Sequence, residues 1–397
     1  MKTAGSVRIL YVEGNVDGTV GGSFFSLLFL VSGLDRTRFE PIVVFAADNT
    51  LRPRFHDAGI TTRLVIPPRP ATFPGLPGRL LAKGINFLRG AVLEPLRLAR
   101  LLRRERIRLL HLNNSITRNH TWTIAARLAG VPVITHERGI NDRFKPRDVM
   151  LGRRMEAVIC ISAAVRDNFT KVGVTDLPFV TIHNGLDPAQ MKVTREPGEI
   201  RAELGLPATT RLIGIVGNIK PWKGQEVVVR AMAKLRAEHP DVVCLLIGDT
   251  SPDDMHYRDR MHALIGELDL TGRVLITGFK QDIANYVNAL EMQIHASVAP
   301  EPFGRVLLEA MALEKPVIAS GDGAVPEILV DGQTGYLFPP NDSDALAARL
   351  RTLLGDAAAV AAMGRAGRQR LEAEFSITRN VEQTQKLYDR LLGTPSI

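Results

Sequence analysis

Two successive series of short apolar, β-branched runs, each run parted from the next by a stretch of helical periodicity, leave this chain few folds to adopt. "VRILYVEG", "FEPIVVFAA", "IRLLHLNN", "VPVITHE", "AVICIS" and "FVTIHNG" form the first series. "RLIGIVGN", "VVCLLIGD", "RVLITGF", "MQIHAS" and "KPVIAS" form the second. Nearly continuous apolar runs flanked by turn residues read as parallel strands covered on both faces. Segments such as "GQEVVVRAMAKLRAEH" supply the helices between them. The expected fold is therefore α/β, with two Rossmann-like, doubly wound domains; if the two sheets face each other, as domains facing a central cleft, their ligand ends line it together. At 397 residues the chain is long enough for two such cores. The expected divisions are 1–187, 188–375 and a helical tail, 376–397, whose packing partner the letters leave open.

Composition narrows the class. Cys160 and Cys244 both sit in apolar runs, which reads as two core thiols in a reducing cytoplasm rather than a disulfide framework or metal cluster. "MKTAGSVRILYVEG" has no long apolar region after its charge, so no signal peptide is expected. No run approaches the roughly 18 apolar residues of a spanning helix. The expected location is cytoplasmic, with peripheral contact at the membrane's cytoplasmic face as an option. The net charge of +8 is uneven. Residues 1–185 carry 27 Lys+Arg against 14 Asp+Glu, and the remainder 23 against 28. The first half therefore suits an anionic partner. No nucleic-acid partner is expected.

In doubly wound sheets, ligands bind beyond the carboxyl ends of the strands. Gly14–Gly22, His136, Asn218–Lys223 and Glu301 all fall at such ends. "EPFGRVLLEAMA" places Glu301 in a loop, Gly304 where the backbone can approach a ligand, and Glu309 inside a helix. The first amide groups of that helix suit a phosphate. Eight residues of helical rise separate the two glutamates by about 12 Å. That exceeds the roughly 5–9.5 Å between the acid–base carboxylates of glycosidases. The pair is expected to touch different parts of one extended ligand. A capped surface helix bearing two solvated glutamates remains the alternative on this stretch alone. "VGNIKPWKGQE" adds Lys220 and Lys223 at another strand end, before another helix, and a diphosphate suits both places.

With these segments in view, the sequence resembles the family 4 retaining glycosyltransferases of GT-B fold. "EPFGRVLLEAMA" is similar to that family's Glu-x7-Glu signature. "GNIKPWKG", "HNG", "CISAAVRDNF" and "GAVPEILVDGQTGYLFPPNDSDALAARL" follow its usual segments in order. The resemblance covers about 180–375 strongly; over 1–180 it rests mainly on "VGGS" and "THERG". It implies that Glu301 holds donor sugar hydroxyls and Glu309 the nucleotide ribose. It implies backbone N–H groups of Gly304, Arg305, Val306 and Leu307 on sugar and diphosphate, and Lys223 on the diphosphate. Gly21 and Gly22 would form the loop beside it, and His136 would lie near the transferred sugar, so Glu301 and His136 are the catalytic candidates. The chain departs from the pattern at Asn218, where the family carries arginine; Lys220 is the expected second cation. The resemblance further implies same-face attack, with the leaving phosphate helping to accept the acceptor's proton.

Other signals carry less. Asp342 and Asp344 form an Asp-x-Asp but precede "ALAARLRTLL", so helix capping is expected and no essential metal or other cofactor. His111 and His295 lie in strand-like runs, where packing or an edge hydrogen bond is the ordinary role. Glu327 at a further strand end fits either a donor-pocket or a structural part.

Residues 63–108 hold 11 Lys+Arg and two Asp+Glu. Leu81, Ile85, Leu88, Val92, Leu96, Ala99 and Leu102 recur there as one apolar helical face, which Pro95 is expected to interrupt. Beyond Pro95 an ordinary buried stripe is expected, whereas residues 74–94 suit a helix lying in a lipid interface. Arg89, Arg97 and Arg100 are candidates for contact with an anionic membrane or acceptor. The leading reading is a retaining glycosyltransferase moving a sugar from a nucleoside diphosphate to a glycan or lipid-linked acceptor at a membrane surface. A sugar-nucleotide epimerase of similar build would have no use for the basic amphipathic segment. A non-catalytic sugar-nucleotide or membrane-binding protein would have no use for Glu301, Glu309 and Lys223 together.

Overall fold

The structure is a computed structural model and describes residues 6–14 and 22–393. Gly21, expected beside the diphosphate, lies outside the described residues. The described chain forms two compact units: one runs to Asn184 and resumes at Ile377, and the other is Gly185–Ser376.

The first unit has the strands β1 (Val7–Glu13), β2 (Phe39–Phe45), β3 (Thr61–Leu64), β4 (Leu109–Leu112), β5 (Val133–Glu137), β6 (Ala157–Cys160) and β7 (Phe179–Thr181). They pair in parallel in the order β3-β2-β1-β4-β5-β6-β7. The second unit has β8 (Arg211–Val216), β9 (Val242–Ile247), β10 (Val274–Gly278), β11 (Met292–His295), β12 (Val317–Ser320) and β13 (Gly335–Phe338). Their order is β10-β9-β8-β11-β12-β13, again parallel. Apolar residues of the central strands are covered on both faces, and Cys160 and Cys244 are buried free thiols among them.

Each sheet reverses direction once, between β1 and β4 and between β8 and β11. Crossover helices leave a crevice at such a point, beyond the carboxyl ends of the two central strands. In the second unit, register pairs Ile213 with Met292 and Ile215 with Ile294. The loops after Val216 and His295 therefore leave the sheet side by side.

The tail is the helix Ile377–Leu392, and it belongs to the first unit. Val381, Leu387 and Tyr388 enter the apolar cluster formed by Ile9, Tyr11, Phe24 and Phe39. One sequence expectation needs correcting. Pro95 does not interrupt the basic helix, which runs through α-helix Gly75–Leu88, a π-helical turn Arg89–Leu93 and α-helix Glu94–Arg104. The wider turn, with Glu94 N–H donating to Arg89 carbonyl, shifts the ladder where the proline has no N–H to give.

Candidate active site

Lys223 and Glu301 meet at the crevice between β8 and β11. The loop after β8 ends at Gly224, whose backbone lies in the left-handed region at φ 72°. A Cβ there would stand 1.8 Å from the Ala296 carbonyl oxygen, so only glycine lets the loop press against the end of β11. The Val298 N–H donates to the Trp222 carbonyl at 2.9 Å and ties the two loops together. Lys223 Nζ consequently stands 2.8 Å from Glu301 Oε2 and 4.0 Å from the centre of the Trp222 ring. His295 Nε2 lies 3.0 Å from the same oxygen, and Ser297 Oγ donates to it at 3.2 Å.

Burial pushes the Glu301 carboxyl up, but the His295 hydrogen bond and the Lys223 ammonium together outweigh it and hold the group at about 2. Lys223 is thus no free surface cation; half-buried itself, it is paired with the buried Glu301 carboxylate. Lys220 faces Asp254 at 3.4 Å, so its charge is also shared, and Asn218 is exposed.

Downstream of Glu301, Gly304 takes φ 88° and starts the helix Arg305–Ala312. A Cβ on Gly304 would meet Leu307 Cδ1 at 2.9 Å. The first N–H groups of an α-helix such as this one suit an anion. Leu307 differs from the expectation: its N–H donates to the Gly304 carbonyl at 2.9 Å, closing a tight first turn, and is not open to a ligand. Glu309 is gripped by Arg305 Nε at 3.0 Å; burial raises its carboxyl and the arginine only partly offsets this. The two glutamates serve separate networks.

In the first unit, His136 is the fourth residue of β5 and is 1% exposed. Its Nδ1 lies 2.7 Å from Nε2 of His111 on β4. Next to them Arg138 donates to the Asn113 side chain at 2.7 Å and to Asn184 Oδ1 at 3.0 Å, while Asn113 donates to Glu13 at 2.6 Å. Gly22 is exposed at the start of the helix Gly22–Gly33.

Ser297, Arg138 and Asn113 went unread in the sequence, and His295 was read only for packing or an edge hydrogen bond. The available signal was position: each follows or ends a strand whose neighbour already held a candidate. Asp342 caps the helix Ser343–Leu354 by accepting from the Asp344 and Ala345 N–H groups, and Asp344 pairs with Lys234 at 2.6 Å. Arg370 donates to the Glu327 and Ile328 carbonyls, which fixes that turn structurally.

A cavity of 560 Å³ opens in the first unit. Asn86, Phe87 and Glu94 of the long helix form one side, and Arg118, His120 and Arg147 contribute to the rest. Along the same helix, Leu76 and Phe87 are each 73% exposed, with Leu80, Leu81, Leu88 and Leu93 also in the open. Arg89, Arg97 and Arg100 are exposed among them. Ala99 and Leu102 are buried, so the stripe turns inward only in its last turns. Among the described residues no helix is long and apolar enough to cross a membrane.

Comparison with known proteins agrees with the fold. Residues 197–370 match the family model of glycosyl transferases group 1, and residues 20–190 match that of Glycosyltransferase Family 4. Over 241 residues the chain is 30% identical to the lipopolysaccharide core biosynthesis mannosyltransferase LpcC of Rhizobium leguminosarum bv. viciae, covering 61% of this chain and 66% of that one. It is 31% identical over 244 residues to a glycogen synthase of Mycobacterium tuberculosis H37Rv, covering 60% of this chain. The match thus spans 66% and 55% of the lengths of these relatives. The solved structure of Anabaena Alr3699/HepE in complex with UDP and glucose aligns with a TM-score of 0.77 at 25% identity, covering 96% of this chain and 99% of that one.

Proposed function

Because this chain belongs to the family 4 glycosyltransferases, which have the GT-B fold, we propose that it moves a sugar, with retention, from a nucleoside-diphosphate sugar to a glycan or lipid-linked acceptor at a membrane surface. The observation that carries this reading is the Lys223–Glu301–His295 cluster at the crevice of the second sheet, its glutamate and histidine buried. It couples a cation suited to phosphate with a carboxylate that stays ionised and suited to sugar hydroxyls. Support for the donor class comes from HepE, whose structure holds UDP and glucose. Support for a glycan or envelope acceptor comes from LpcC and the glycogen synthase.

During transfer the bond between the anomeric carbon and the phosphate oxygen breaks, and that oxygen keeps the electron pair. Lys223 and the N–H groups at the start of the helix Arg305–Ala312 stabilise the new charge. The acceptor oxygen bonds to the anomeric carbon from the same face, and its proton passes to the departing phosphate. Glu301 fixes the sugar so that this approach is aligned, and Glu309 holds the ribose. Because lysine and amide groups carry the compensating charge, the transfer proceeds without a bound metal.

The acceptor head sits in the cavity bounded by the long helix, and an anionic group on it pairs with Arg118 or Arg147. The exposed leucines of the helix lie in the lipid interface, and Arg89, Arg97 and Arg100 meet anionic headgroups. A panel of nucleoside-diphosphate sugars, assayed for nucleoside diphosphate release with glycan and lipid-linked acceptors, tests the reaction. Proton NMR of the product reads the anomeric configuration. Release from no donor with any acceptor would overturn the reading, and an inverted product would overturn retention.

A further inference from the structure

In the first unit, the end of β5 holds the loop after β4 almost residue by residue. Arg138, just past the strand, donates from Nε to the Asn113 carbonyl at 3.0 Å. Thr135 Oγ1 donates to the Asn114 carbonyl at 2.7 Å. Between them, Glu137 takes the next two residues on one oxygen. Ser115 Oγ donates to its Oε2 at 2.8 Å, and the Ile116 N–H donates to the same atom at 3.2 Å. Its Oε1 accepts from Asn141 Nδ2 at 3.4 Å, in the loop that follows β5. One wholly buried carboxylate thus joins two loops.

An ionised carboxylate accepts hydrogen bonds and donates none. Ser115 therefore gives its hydrogen to Glu137 and keeps its lone pairs for Thr117, whose N–H lies at 3.2 Å and whose hydroxyl lies at 3.1 Å. The relay ends at the cavity, which Thr117, Arg118, Asn119 and His120 line in succession. The same segment meets the second loop again further on. His120 Nε2 donates to the Ile116 carbonyl at 3.0 Å and stands 3.0 Å from Asp148 Oδ1, on the helix Pro146–Gly152 that carries Arg147. The loops that bring Arg118 and Arg147 to the cavity are fastened twice, at Glu137 and at Asp148.

Glu137 pairs with no cation among the described residues, because the Arg138 guanidinium turns to Asn113 and Asn184. Burial pushes its carboxyl up to about 7 against the pull of its donors. A charge buried without a counterion costs stability. What this one supplies is an acceptor on which three donors from two loops converge.

We propose that Glu137 is a positioning residue for the acceptor: by orienting Ser115 and the Ile116 N–H it sets Thr117, Arg118, Asn119 and His120 against the cavity that takes the acceptor's head group. This rests on the reading that places the head group in that cavity. Being buried, Glu137 acts through the loop and touches no ligand itself.

The test uses the full-length chain. Amide exchange of residues 113–120, followed by mass spectrometry, reports the loop. In Glu137→Ala the Ile116 and Thr117 N–H groups should exchange about tenfold faster. Calorimetric titration with glucose 6-phosphate, a hydroxylated head group bearing one anionic group, reports the cavity, and the same variant should bind it about tenfold more weakly. In turnover the KM for the acceptor should rise while the KM for the donor stays put. Glu137→Gln keeps one oxygen for Ser115 and Ile116 and should return both readouts to within about threefold of wild type. Ser115→Ala cuts the relay to Thr117 with Glu137 in place; it should weaken binding likewise, and it decides the matter where Glu137→Ala does not fold. Unchanged exchange at Ile116 and Thr117 would overturn the clasp. Faster exchange with unchanged affinity, or no affinity for glucose 6-phosphate in the wild type, would overturn the positioning role. Sugar transfer itself fails only if the donor panel releases no nucleoside diphosphate.

Discussion

Glu301 draws an ammonium, an imidazole and a hydroxyl onto one carboxylate, and its chemistry is set by that company. Its carboxyl is held at about 2, below an ordinary value of 4.5. A depressed carboxyl contributes stability that is fully present above the unfolded value and lost as pH falls through the folded one. The contribution, on the order of 3 kcal/mol, should therefore fade between about pH 4.5 and pH 2. Glu301→Gln should lose stability at pH 7 and show a flatter acid limb; urea unfolding at pH 7 and pH 3 compares them. An equal deficit at both pH values would disprove the assignment. The same variant should lose turnover by about a hundredfold, because misplacement in such sites is costly. Lys223→Ala should weaken nucleoside diphosphate binding by about tenfold in calorimetric titration, the worth of roughly one charged hydrogen bond. Excess chelator should leave turnover unchanged; loss restored by a divalent cation would refute the metal-free mechanism. Position at strand ends made Glu301 and Lys223 legible in the letters. Their pairing was not legible, because 78 residues separate them and only the sheet order brings their loops together.

The helix from Gly75 to Arg104 sets exposed leucines beside exposed arginines. Its basic and apolar content was readable from spacing, and beyond Pro95 so was the burial of Ala99 and Leu102, whereas Leu96 stays exposed. The continuous path was not, since a π turn leaves no periodic trace in five residues. Vesicles containing anionic lipid should bind the protein at low salt and release it as salt rises, because exposed charges are screened over about 8 Å at physiological ionic strength. Replacing Arg89, Arg97 and Arg100 with Gln should weaken that binding by roughly 1 kcal/mol per charge. Replacing Leu80 and Phe87 with Ser should weaken it at every salt concentration. Co-sedimentation that detects no binding to anionic vesicles at low salt would favour a soluble acceptor.

Across the whole molecule, the alternation of strands and helices was enough to announce two doubly wound sheets, because a buried parallel strand must be apolar on both faces. Two strands escaped it, β3 and β13, and both are edge strands. β3, "TTRL", exposes three of its four residues, so no apolar run marks it. β13, "GYLF", is four residues long inside a turn-rich stretch. The partner of the last helix was likewise unreadable, since its apolar face would suit either core. Val381, Leu387 and Tyr388 bury themselves in the first unit. At about 1.5–3 kcal/mol for each buried side chain, a chain cut before Ile377 should expose apolar surface to a dye such as ANS, while Gly185–Ser376 made alone should still unfold cooperatively. Failure to bind dye would show that the helix is dispensable. The same arrangement bears on synthesis. A ribosome delivers the helix Ile377–Leu392 only after all of Gly185–Ser376 has been made. The second unit can therefore close while it is still attached, whereas the first must wait with an uncovered apolar groove. That interval, roughly ten to forty seconds at ordinary translation speeds, is when a holdase chaperone would have something to hold.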